Sequence, residues 1–342
     1  MAAGRLIRTL IAAALAVVLG PAAFAQDAGE FYRSKTVLLY IGFSPGGGYD
    51  VYGRLVARHL GRFIPGNPTI VPINMDGAGS LKLANWLYNA APRDGTVIGS
   101  ISRGVPFEPL VGFAEVAQFD PTEFTWIGSA NDEVAVCVAW NRRGISNFDQ
   151  LFERELIVAG TGPAADDVVH ARLVSGLLGA NLRLVAGYAG GNEMNFAMER
   201  GEVDGRCGWS WSSVTSTAQD WIDEGTIVVL LQVALRKHPE LPQVPLIMDF
   251  AQTEEERQIL RLVLLRGVLG RPYLAPPGIP PELAAALRHA FDTMVQDIAF
   301  LTEASRLRLE ITPISGEELQ RLIAEVYASP ANIVERARGI LR

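Results

Sequence analysis

Two cysteines, Cys137 and Cys207, and four histidines, His59, His170, His238 and His289, are all that 342 residues offer to thiol or imidazole chemistry. Two cysteines are too few for a disulfide scaffold, although an even number suits an oxidising compartment. The histidines fall in no H-E-x-x-H or other ligand spacing, so neither a metal site nor a cofactor is expected. Positive charge is short as well. The formal net charge of −7 argues against a nucleic-acid partner and leaves no polybasic patch for a membrane surface. Beyond the N-terminus no apolar run is long enough to span a bilayer, and the stretch 259–269 is broken by Arg261 and Arg266.

What is present begins with an export signal, expected over residues 1–25. Arg5 and Arg8 form its positive region, Leu10–Leu19 its apolar core, and Ala23, Phe24 and Ala25 an A-x-A cleavage site. Residue 26 is Gln rather than Cys, so lipid attachment is not expected. The mature chain is expected to be soluble, outside the cytoplasm, with a charge of −9 once Arg5 and Arg8 are removed. Its length allows about two domains, and 49% apolar residues can fill sizeable cores.

The chain is organised around Thr36–Asp50. A short apolar run, Val37–Phe43, suits a buried strand; Ser44–Gly48 is a glycine loop; Val51–Phe63 has helical period, with Val51, Leu55, Val56 and Leu60 on one face. A helix N-terminus carries unpaired N–H groups and a partial positive charge, and glycine admits a ligand to the backbone. The loop is therefore a candidate anion site, or an ordinary strand-to-helix turn with Asp50 as N-cap. Sharper motifs fail on it. Gly42, Ser44 and Gly46 fit G-x-S-x-G, but the oxyanion hole of that motif needs the N–H of the next residue, which is Pro45. A dinucleotide fingerprint from Gly46 has Val51 in place of its third glycine, and no Gly-Lys-Ser/Thr follows for a phosphate loop. No catalytic residue is identified, and an enzyme is not expected.

The same grammar recurs. Strand, loop and helix alternate as βαβαβ through Val37–Ser102 and again through Leu156–Trp209, with glycine loops at equivalent places, Asp76–Gly79 in the first unit and Thr161–Asp167 and Tyr188–Gly191 in the second. Such alternation implies parallel sheets flanked by helices. Phe124–Ser129 and Val134–Trp140 could cross from one unit to the other, and Ile227–Val233 could return. The expected fold is α/β with two lobes, 32–128 plus 232–342 and 129–231, and a cleft where the carboxyl ends of both sets of strands meet. The tail, Ala331–Leu341, is expected to be a helix along the first lobe.

The chain resembles the substrate-binding receptors of tripartite tricarboxylate transporters, the Bug family. The matching stretches are Phe43–Asp50 with Arg54, Asn74–Gly79, Ala91–Thr96, Gly187–Gly191, Gly201–Gly205 and Ala275–Pro280, in order across nearly the whole mature chain. The resemblance implies a periplasmic receptor of the two-lobed type II fold that delivers a small carboxylate to membrane permease subunits; a sensor feeding a membrane signalling partner is the alternative. A monomer is expected. By resemblance, the ligand carboxylate lies between two loops, with waters bridging. The first supplies Phe43, Ser44, Gly46, Gly47, Gly48, Tyr49 and Asp50, backed by Asn74. The second supplies Thr161, Gly162, Ala164 and Asp166, with Tyr188, Gly190 and Trp209 near by. The resemblance also makes the incoming crossing strand an antiparallel neighbour of the second unit's third strand. Cys137 and Cys207 then lie opposite or diagonal, either bonded or as two buried thiols. The chain departs from the family at Asp166 and Asp167, where small hydroxyl residues are usual. They either cap the helix and face solvent or favour a ligand with a positive group. Arg103, after a strand end, is either a surface charge or a second anchor for a carboxylate.

Overall fold

The computed structural model describes residues 28–112 and 114–341; the expected export signal and Gln26 lie outside them. The first apolar run forms β1 (Thr36–Ile41), with alternate residues Val37, Leu39 and Ile41 fully buried. It pairs in parallel with β2 (Thr69–Asn74) and with β3 (Val97–Ser100). The helical stretch between β1 and β2 is α1 (Gly48–Leu60), and that between β2 and β3 contains α2 (Leu81–Asn89). The first sheet is completed by β4 (Thr125–Ser129) and by two strands from late in the chain, β10 (Pro272–Ala275) and β11 (Ile314–Ser315), in the order β11-β4-β10-β3-β1-β2.

The second sheet holds β5 (Ala135–Trp140), β6 (Leu156–Gly160), β7 (Leu182–Ala186), β8 (Gly205–Ser210) and β9 (Ile227–Val233), in the order β7-β6-β8-β5-β9. Its crossover helices are α3 (Asp166–Leu178) and α4 (Gly191–Arg200). The molecule thus has two lobes, each a mainly parallel sheet flanked by helices, with antiparallel strands β10 and β5 inserted where the chain passes between them.

Sequence pattern located β9 to the residue and missed β10 and β11. β10 is four residues with no alternation to read, and β11 only two. The tail helix α11 (Ala331–Leu341) was expected along the first lobe; it packs instead on both. It lies against α7 (Glu254–Leu264) and also against α3, where Arg172 donates to the Leu341 carbonyl at 3.0 Å. Gly176 of α3 brings the two helices together, since a Cβ there would stand 3.0 Å from Ile340. Of the helices described, none is long and apolar enough to cross a membrane. The described residues include no cluster of His, Cys, Asp and Glu that could hold a metal ion.

Candidate functional site

Three helix N-termini meet where the lobes face each other. α1 starts after Gly47, α3 after Ala165 and α4 after Gly190, and none of these N-cap residues caps its helix with a side chain. The first-turn N–H groups and the positive ends of three dipoles are therefore directed at one space. Gly46–Tyr49, Ala165–Asp167, and Gly191 with Asn192 line a cavity there. About 60 Å³ is open to the centres of water-sized groups.

The first loop is shaped from behind. Asp50 is not the N-cap; it lies in the first turn of α1, where its carboxylate accepts from the Gly46 N–H at 2.9 Å and pairs with Arg54. Asn74 stands behind the loop, donating to Phe43 O and to Asp50, both at 2.8 Å. Burial opposes ionisation of Asp50, but the bonds from Arg54, Gly46 and Asn74 hold its carboxyl below the usual range. Tyr49 stacks on Phe43 with ring centroids 4.6 Å apart and accepts from the Arg103 N–H at 3.0 Å.

Arg103 lines the cavity and is 1% exposed, so the surface-charge reading does not apply. Nor is it a free second anchor: its Nε is bonded to Asp166 and its Nη1 donates to Ser210 at 3.1 Å. Arg266 reaches the same carboxylate at 3.6 Å. Burial alone would raise the Asp166 pKa; Arg103, with His170 and Arg266, carries it down to about 2. Asp167 holds the Thr161 N–H at 2.9 Å and the Thr161 hydroxyl at 3.1 Å. Burial pushes it up to about 6 against those bonds. The two carboxylates therefore neither face solvent nor stand ready for a cationic ligand. Asp166 ties α3 to two first-lobe arginines, and Asp167 folds its own loop.

Other expected site residues close the lobes together. Ser44 donates to Glu193 at 2.6 Å, and a Cβ on Gly190 would strike the Ser44 hydroxyl. A Cβ on Gly162 would strike the Ala78 and Gly79 backbone, and one on Gly104 the Ala164 carbonyl. Tyr188 and Gly162 belong to an outer groove rather than to the central cavity. Trp209, 3% exposed, is part of the cavity wall, whereas Trp211 turns away and donates to Glu240 at 2.7 Å.

These lobes match solved structures along almost their full length. The chain is similar to the periplasmic binding protein BugD, at 20% identity over 90% of this chain and 98% of that one, with a TM-score of 0.72. Similar too are MatC from Rhodopseudomonas palustris with bound malate (19% identity, 90% and 99% covered, TM-score 0.69) and R. palustris Rpa4515 with adipate (18%, 89% and 97%, 0.69). The fold is that of a two-lobed periplasmic binding protein. No family model and no curated protein matches the sequence.

Within this binding-protein fold, two cavity arginines escaped the reading of the sequence. Arg206, on the central strand β8, donates to Asn195 at 2.8 Å and to the Gly191 carbonyl at 3.3 Å, and lies 4.1 Å over the Trp209 ring. Its signal was visible: a cation inside an apolar strand needs a partner or a ligand. Arg271 donates to Ser213 at 2.7 Å and pairs with Glu133, whose side chain is wholly buried, at 3.4 Å. It immediately precedes the missed strand β10, so no pattern placed it. Behind the site, Cys137 and Cys207 are register partners on β5 and β8, with their sulfurs in bonding contact.

Proposed function

We propose that this chain is an extracytoplasmic receptor that closes its lobes, 32–128 plus 232–342 and 129–231, on a small carboxylate and delivers it to a tripartite tricarboxylate-type permease. The observation that carries the reading is the convergence of three helix N-termini without side-chain caps on one cavity. Oriented N–H groups with buried arginines form an anion site that works by binding and needs no covalent step. The structures with adipate and malate, on the same fold, support a carboxylate as its occupant. The expected export signal places the receptor in the periplasm, where such a solute is met before the membrane.

A ligand that binds only the folded, closed form stabilises it by about 2.7 kcal/mol at a hundredfold excess over Kd. At roughly 2–4 °C per kcal/mol for a chain near this size, the melting temperature rises by about 5–10 °C. The test is thermal denaturation against mono- and dicarboxylates, with native mass spectrometry of whatever co-purifies. A shift with neutral sugars or amines, and none with any carboxylate, overturns the assignment.

A further inference from the structure

The cavity contains more cationic side chains than its acids engage. Arg103 is bonded to Asp166 and Arg271 to Glu133. Arg206 makes no ion pair with any described residue; its Nη1 bonds go to a neutral amide and a carbonyl. The residue is 5% exposed, and its Nε is buried with no partner among the described residues. Asp167, whose charge acts on it, is turned to Thr161. Arg206 lines the cavity with its charge unpaired, and a buried guanidinium so placed is a site for a carboxylate. The N-termini of α1 and α4 lie around the same space, and Trp209 and Met194 supply apolar wall.

The room beside Arg206 is small. It leaves about 60 Å³ to the centres of water-sized groups. Its far side is shut by backbone contacts between lobes: a Cβ on Gly47 would be 3.3 Å from the Gly191 nitrogen. The residue that could have met a second carboxylate, Arg103, already holds Asp166, so the protein's own carboxylate occupies that position. Resting on the receptor reading above, we propose that Arg206 is the specificity-determining anchor of this cleft and that its ligand is a small monocarboxylate, held through its carboxylate with its tail against Trp209 and Met194.

The experiment is titration calorimetry on the mature protein with acetate, propionate, lactate and pyruvate against succinate, malate and adipate. It is repeated with R206Q and R206K, whose folding is checked by circular dichroism. At least one short monocarboxylate should bind the unaltered protein more tightly than every diacid. R206Q should weaken that binding about 10- to 100-fold, the scale of a charge-assisted fork. R206K, with the charge but not the fork, should fall between them. Tightest binding of malate or adipate, or R206Q binding as the unaltered protein does, overturns this inference and leaves a carboxylate receptor standing. Failure of every carboxylate, long and short, removes the receptor assignment and this inference with it. If R206Q does not fold, the ranking of short acids against diacids on the unaltered protein still decides.

Discussion

His170 lies one turn after Asp166 on α3, 1% exposed, and neither ring nitrogen has a partner among the described residues. Burial lowers its pKa to about 3; Asp166 opposes this, while Arg266 and Arg103 on the first lobe reinforce it. The unfolded chain takes up this proton near pH 6.5 and the folded chain only near 3. The stability due to neutral His170 is therefore complete above 6.5 and is lost as pH falls through that window. Asp167 works the other way. The folded chain keeps its proton up to about 6, whereas the unfolded chain releases it at 3.8, so its contribution is present below 3.8 and lost as pH rises through 6. A comparison of variants separates the two. His170→Leu should gain melting temperature relative to the unaltered protein on going from pH 7.5 to pH 5. An equal difference at both pH values would show that His170 does not titrate between the states.

At the scale of elements, β5 and β8 meet antiparallel with a register shift just before Cys137, and both cysteines are fully buried. We propose that the pair is oxidised in the exported protein. A link between positions 70 apart limits the unfolded chain and is worth about 2–4 kcal/mol. Unfolded without reductant, the protein should show no free thiol to a labelling reagent; two per chain would exclude the bond. Reduction should lower the melting temperature without disordering β5, which is also paired to β9 along its length.

For the whole molecule, closure is a backbone affair as much as an ionic one. Gly47 has φ −82°, which any residue can adopt, so its glycine is required by space rather than by conformation. Any side chain there would press on the start of α4, with Gly191 N and Cα 3.3 and 3.6 Å from the new Cβ. Gly47→Val should hold the lobes apart. The expected outcome is a larger radius of gyration in X-ray scattering and loss of the carboxylate-induced melting shift, with secondary structure intact. An unchanged radius and shift would mean that the lobes do not close across this contact. The buried Arg103–Asp166 pair fixes the register of that closed form, since in it each charge has lost its water and is held by the other.

The sequence by itself determined the two βαβαβ units, the glycine loops and the crossing strands. Each depends on local pattern: apolar runs of strand length, helical period, and glycine where backbone must come close. Only the tertiary structure decided where charge is free. Arg103, Arg206, Arg266 and Arg271 are alike as letters, and their difference lies in partners brought from 58 to 138 positions away or withheld. Asp166 and Asp167 are neighbours in the chain, yet one is drawn down by arginines of the opposite lobe and the other pushed up by burial. A pKa and the pairing of a buried charge are sums over the whole surrounding volume, and strands, helices and their caps are not. That is why the frame could be read along the chain and the site could not.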